Sequence, residues 1–371
     1  MWSTEKDFEL ARVMLDHSLA VKKRERVLIT LYGEEGMPLA KAVYVETLKR
    51  GAYPVLDLQP EAGLGYQFYQ LANEWQLNYV PEEIVKAKID WADAYVRIVA
   101  SKNLRELSQI DSKKLALRQK LMRPLVDPMI DSDRWILTYY PTAAMAQAAG
   151  VSLDWLREFY FESVLVDYEK MRRELKALEK ILDEGKEVRV VGEETDLKLR
   201  IEGRLALACY GERNIPDGEV FLAPLKETVE GRVYFEFPSM YMGQEVRGVR
   251  LVFEKGRVVK ATAEVGQEVL ESALETDEGA RYLGEFAIGA NYAIQQGMKN
   301  TLFDEKIGGT IHMALGRAYR EKRGGGKNES AIHWDLVKDM RKPGSWLEVD
   351  GKRVLEEGRL NGKGRTLTKC H

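Results

Sequence analysis

The chain has 371 residues, 45% of them hydrophobic, which is enough for two cores rather than one. Its 56 basic and 59 acidic residues are mixed along the length and leave a net charge of −3, which argues against the basic patch of a nucleic-acid binder. No apolar run reaches the roughly 18 residues of a membrane span, and the opening MWSTEKDFELARVML carries charge where a secretory leader needs apolar residues, so a cytoplasmic location is expected.

The first half alternates helical and strand-like patterns. Residues 7–21 place Phe8, Leu10, Ala11, Met14 and Leu15 at helical spacing. VLITL (27–31) reads as a buried strand ending at Gly33. Residues 38–50 follow as an amphipathic helix, with Pro38 at its start and Gly51 at its C-terminal cap. YPVLDL (53–58), AYVRIV (94–99) and WILTYY (135–140) are further strands. Continuous apolar strands separated by helices predict an α/β domain with a mostly parallel sheet covered on both faces. Neither GxGxxG nor GxxxxGK[ST] follows any of these strands, which counts against a nucleotide site. Residues 156–184 are expected to be one long helix with Met171, Leu175, Leu178 and Leu182 on its apolar stripe.

After Lys186 the pattern changes to short alternating strands: EVRVV, LKLRIEG, EVFLAP, RVYFEF and GVRLVFEKGRVVKATAEV. The last contains a hairpin turn at Glu254-Lys255-Gly256. A second, β-rich α+β domain is therefore expected over residues 186–371, beside an α/β domain over residues 1–185. Helices are expected near residues 267–274 and 278–283. Cys209 and Cys370 fit no metal or redox spacing and read as two free thiols.

The chemistry concentrates between Leu302 and Asp335. Two of the four histidines, His312 and His333, lie there, while His17 falls in a predicted helix and His371 is the last residue. In IHWDL, His333 and Asp335 are one residue apart, so on a strand both face the same side and can share a metal. TIHMALGRAY reads as helical, which sets His312 and Tyr319 about two turns apart on one face. Glu305 precedes Gly308-Gly309, a pair that allows a turn back toward His312. Upstream, Glu285 sits among Leu283, Phe286 and Ile288, and Glu219 starts an apolar strand. Each acid needs a partner there, either a metal or an arginine such as Arg281 or Arg213.

Four phrases carry a resemblance to a known family: NIPDGEVFLAP (214–224), LETDEGARYLGEFAIGAN (274–291), LFDEKIGGTIHMALGRAY (302–319) and NESAIHWDLV (328–337). With residues 135–168 they resemble, in order and over most of the chain, the thermophilic aminopeptidase family, the two-metal group that includes aminopeptidases T and S. The resemblance implies six metal ligands, Glu219, Glu285, Glu305, His312, His333 and Asp335. It also implies catalytic roles for Glu285 and Tyr319. The KIGGTI segment between Glu305 and His312 is longer here than in the founding members.

Four carboxylates balance two divalent ions of Zn, Co or Mn type, which would activate a shared water. What the resemblance implies is an aminopeptidase acting on peptides with a free N-terminus, assembled as a homodimer, with neither nucleic acid nor membrane as partner. The residues alone leave two other readings: another metal-assisted amidohydrolase, or a non-catalytic, metal-stabilised binding protein.

Overall fold

The apolar runs of the first half form β1 (Arg26–Tyr32), β2 (Tyr53–Gln59), β3 (Ala94–Val99) and β4 (Trp135–Tyr139) in a computed structural model, which describes residues 2–61, 63–362 and 365–366. Cys370 and His371 lie outside the described residues. Together with the short strand Asn214–Ile215, these runs make a parallel sheet in the order β2-β1-β3-β4-(214–215). Val27, Ile29 and Leu31 on one face of β1 are fully buried and Leu28 on the other is 7% exposed, as expected of a strand covered on both sides. Helix α1 (Met37–Lys49) has Pro38 in its first turn, where a missing N–H is harmless, and buries Leu39, Ala42 and Val43.

Where one long helix was predicted, the structure has two, α2 (Leu153–Val164) and α3 (Tyr168–Glu184). The break comes at Asp167, whose side chain accepts from the Lys170 amide at 2.8 Å and caps α3. The apolar stripe of α3 buries Met171, Leu175, Leu178 and Leu182.

The chain divides into two compact units, one running to Val166 and taking in Gly211–Pro216, the other Asp167–Tyr210 and the chain from Asp217 onward. The change of texture at residue 186 suggested a later division. Helix α3 instead belongs with the strands that follow it, because its stripe packs on β5 (Leu207–Cys209) and β6 (Glu219–Leu222).

Among its described residues the second unit holds two large antiparallel sheets. One is nine-stranded. It runs from the hairpin Val249–Glu254/Arg257–Thr262 through Glu230–Phe235, Thr195–Arg200 and Glu187–Gly192 to Trp346–Val349 and the strands after it. The hairpin turns at Lys255 and Gly256, both at positive φ, as a two-residue hairpin turn requires. The other sheet is five-stranded, in the order β9 (His333–Asp339), β8 (Thr310–Gly316), β7 (Leu283–Gly289), β6, β5. Every residue of β6, β7 and β8 is buried. Residues 267–274 are helical as expected, whereas Glu278–Arg281 is a single 3-10 turn.

Candidate metal centre

The register of the five-stranded sheet decides which side chains meet. Ala314 on β8 lies opposite Glu285 on β7 and Asp335 on β9. Two residues along, His312 faces Ala287, and Gly316 faces His333. Gly289 faces Glu219 on β6. Directly opposed residues share a face, as do residues two apart, so Glu219, Glu285, His312, His333 and Asp335 all project from one side of the sheet. Ala287, Ala314 and Gly316 fill the places between them with almost no side chain, leaving room above the sheet.

His312 is therefore a strand residue, not the helical one predicted. Its stretch is buried on both faces, so it shows neither a clean alternation nor a helical stripe. Tyr319 follows the strand in irregular chain, with its ring centroid 5.1 Å from that of His333 and 5.4 Å from that of Phe221. The glycine cluster 324–326 begins with a buried Gly324 that donates to the Leu205 carbonyl at 2.6 Å.

Among the described residues, four overlapping groups of donor atoms emerge, one of them Cys209, Asp217 and Glu219, and the two that share Glu285 each contain a histidine. His312 Nε2 is 3.2 Å from Glu219 Oε2 and 3.2 Å from Glu285 Oε1. His333 Nε2 is 3.6 Å from Glu285 Oε2 and 3.6 Å from Asp335 Oδ1. Glu285 thus offers one oxygen to each group. Ligands bound at about 2.0–2.1 Å around a tetrahedral ion stand about 3.3 Å apart, close to these separations. Among the described residues, Glu219 Oε2, Glu285 Oε2 and Asp335 Oδ1 are buried without a hydrogen-bond partner, an arrangement a cation would relieve. Neither arginine considered as an alternative partner serves: Arg213 pairs with Asp133, and Arg281 donates to the Val258 carbonyl.

His333 Nδ1 is 2.7 Å from the Arg317 carbonyl oxygen. A carbonyl only accepts, so Nδ1 carries the proton and the Nε2 lone pair is left for a ligand bond. Glu305 comes within ligand range of His312 and Asp335. It is delivered by the short helix Thr301–Asp304, which Asn300 caps by accepting from the Leu302 amide at 3.1 Å. The turn back to β8 passes through Gly309 at φ 82°, where an added Cβ would stand 2.5 Å from the Gly358 carbonyl. Asp304 stays out of the centre. Its carboxylate accepts from the Met298 and Asn300 amides, and burial pushes its pKa up to about 7.

Lys306 and Asp217 were missed. Lys306 is 1% exposed, with Nζ 2.6 Å from Glu219 Oε1, 2.6 Å from Glu305 Oε1 and 3.9 Å from Asp217 Oδ1. Buried lysines are rare unless paired, and nothing in EKIGG marks this one as inward-facing. Burial alone would lower its pKa, but Glu219, Glu305 and Asp217 outweigh that and hold it well above the ordinary value.

Burial also raises Glu285 to about 7. In His312, burial works against the charged ring, but the hydrogen bond to Glu285 and the charge of Glu219 prevail and raise it to about 9. His333 is raised as well, Asp335 and Glu285 outweighing its burial. Tyr319 keeps 42% of its surface exposed, yet burial around its hydroxyl and the charges of Glu285 and Asp335 hold it well above the usual range. Cys209, opposite Glu219 in the register, stands as a protonated thiol because burial and the Asp217 and Glu219 charges raise its pKa well above the ordinary value.

Residues 4–359 match the family described as thermophilic metalloprotease (M29). The chain belongs to that family. Aminopeptidase T of Thermus thermophilus is 41% identical over 192 residues, covering 45% of each chain. Aminopeptidase AmpS of Bacillus subtilis is 39% identical over 159 residues, covering 38% of each. The matched stretches thus span less than half the length of these two relatives. The solved structure of wild-type AmpT from Thermus thermophilus is similar over 96% of this chain and 99% of that one, with a TM-score of 0.81 and 26% identity. The expected fold, a parallel α/β region followed by β-rich antiparallel sheets, is the one observed and agrees with that neighbour. The structure gathers Glu219, Glu285, Glu305, His312, His333 and Asp335 into overlapping groups of potential metal donors.

Proposed function

We propose that this M29 protein is a metal-dependent aminopeptidase that releases N-terminal residues from peptides. The observation that carries the reading is Glu285, whose two oxygens address two separate histidine-containing donor groups. Glu219, Glu285 and His312 would hold one divalent ion, and Glu285, His333 and Asp335 a second, with Glu305 in reach of His312 and Asp335. Zn, Co or Mn suits this mix of imidazole and carboxylate. Two such ions, when bound, would lower the pKa of a water they share and polarise the scissile carbonyl.

The chain's own groups do the rest. Glu285 has both oxygens turned to donor groups, which supports a bridging ligand over a proton carrier. Tyr319, its pKa held high, keeps its proton at neutral pH and can donate it in a hydrogen bond to the developing oxyanion. Tyr319→Phe is expected to lower kcat by roughly 10²–10³-fold with KM little changed, measured on an aminoacyl-nitroanilide. An unchanged kcat would remove Tyr319 from the reaction.

Metal uptake is expected to release protons. His312 is raised to about 9 in the metal-free protein, and an imidazole must be neutral to ligate. Metal affinity should therefore climb with pH up to about 9 and then level, as read by titration in buffers across that range. A flat profile would contradict the raised value.

The deciding experiment strips the metal with a chelator, restores Zn, Co or Mn, and compares a free peptide with its N-acetylated form. Metal-dependent cleavage of the free peptide alone is the expected result. Equal cleavage of the blocked peptide would instead favour a general amidohydrolase. A melting temperature that falls on stripping, with no hydrolysis under any metal, would favour a binding protein. The reading also includes a cytoplasmic homodimer, whose assembly sedimentation analysis can check.

A further inference from the structure

Lys306 places a fixed cation inside the donor cluster, and it does so unevenly. Its ammonium takes Glu219 Oε1, leaving Oε2 of that carboxylate to face His312. It also takes Glu305 Oε1 and stands near Asp217. Among the described residues, no lysine or arginine pairs directly with Glu285 or Asp335, and Lys306 reaches the group around His333 only through Glu305, which lies within ligand range of Asp335. A positive charge this close, in surroundings that exclude water, opposes a second cation far more than it would in solvent. Its effect falls mainly on the half that contains Glu219.

On the metal-centre reading above, we propose that Lys306 makes the centre unequal. The Glu285–His333–Asp335 half takes its ion first and tightly. The Glu219–Glu285–His312 half takes its ion second, more weakly and exchangeably. The same ammonium holds Glu219 and Glu305 in place before any ion arrives. The second half would then fill and empty with the supply of divalent metal, which gives this chain an activity graded by that supply.

The test titrates the metal-stripped full chain with Co²⁺ by calorimetry and equilibrium dialysis. For the natural protein, two binding steps separated by about tenfold or more are expected, a gap set by the charge term. Anomalous diffraction from crystals given one equivalent of Co²⁺ should place the ion among Glu285, His333 and Asp335. Lys306→Gln keeps a hydrogen-bond donor but removes the charge, and it should tighten the second step by about tenfold while moving the first much less. Lys306→Arg, which keeps the charge, should preserve the gap.

Should Lys306→Gln fail to fold, the natural protein still decides. Two equally tight steps, or a first ion between Glu219 and His312, would overturn the proposal. A second step left unchanged in a folded Lys306→Gln protein would overturn it too. Two equal ions would leave the aminopeptidase reading intact, whereas no Co²⁺ uptake at all would bring down the metal centre itself.

Discussion

Glu285→Gln is expected to lower kcat/KM for a peptide substrate by on the order of 10³-fold or more, about 4 kcal/mol of lost transition-state stabilisation. The substitution is nearly isosteric, so the strand β7 and its register should survive. It removes the charge from the residue both donor groups share, and metal analysis should show fewer ions per chain than in the natural protein. Loss of activity with full metal content would instead point to Glu285 as a proton carrier that does not ligate. Full activity would remove it from the centre. The outcome separates two roles that the amino-acid pattern around LGEF leaves open.

His333→Ala is the second large effect. His333 supplies the nitrogen of its donor group, and its other ring nitrogen is fixed by the Arg317 carbonyl. Alanine leaves Asp335 and one oxygen of Glu285 without that partner. Peptidase activity should fall by on the order of 10³-fold, together with the ion proposed for this half. Nitroanilide turnover at the natural rate by the folded variant would end the assignment of His333 to the centre. A control at Asp304, a carboxylate equally buried but engaged with backbone amides, should disturb stability and leave metal content alone.

Much of this was legible from residue order because the physics behind it is local. The parallel sheet announces itself through VLITL, AYVRIV and WILTY, short and largely apolar runs, rich in β-branched and aromatic residues, that alternate with helical segments. His333 and Asp335 were correctly placed on one face of a strand because an alternation of two needs no knowledge of the rest of the fold. Thr310–Gly316 was misread for the opposite reason: fully buried on both sides, it offers no alternation, and its length suits either element. The break at Asp167 was missed because the apolar spacing runs on past it, although an aspartate three residues before Lys170 is an ordinary N-cap. Lys306 lay beyond reach, since lysine beside glutamate normally describes a solvated surface. A charge balance struck without Lys306 and Asp217 was therefore incomplete.

The sheet that carries the donors has a consequence for how the protein is made. Glu219, Glu285, His312 and His333 come from four different strands, and the last to leave the ribosome is β9. Until β9 has paired with β8, the centre lacks His333 and Asp335. Synthesis proceeds from the N-terminus at about 5–20 residues per second, so an emerging chain carries an incomplete ligand set for several seconds. On the proposed ligand assignment, completion of the centre is thereby a late event in biogenesis. Nascent chains arrested before His333 should take up at most the one ion assigned to Glu219, Glu285 and His312, while the full chain should take up two.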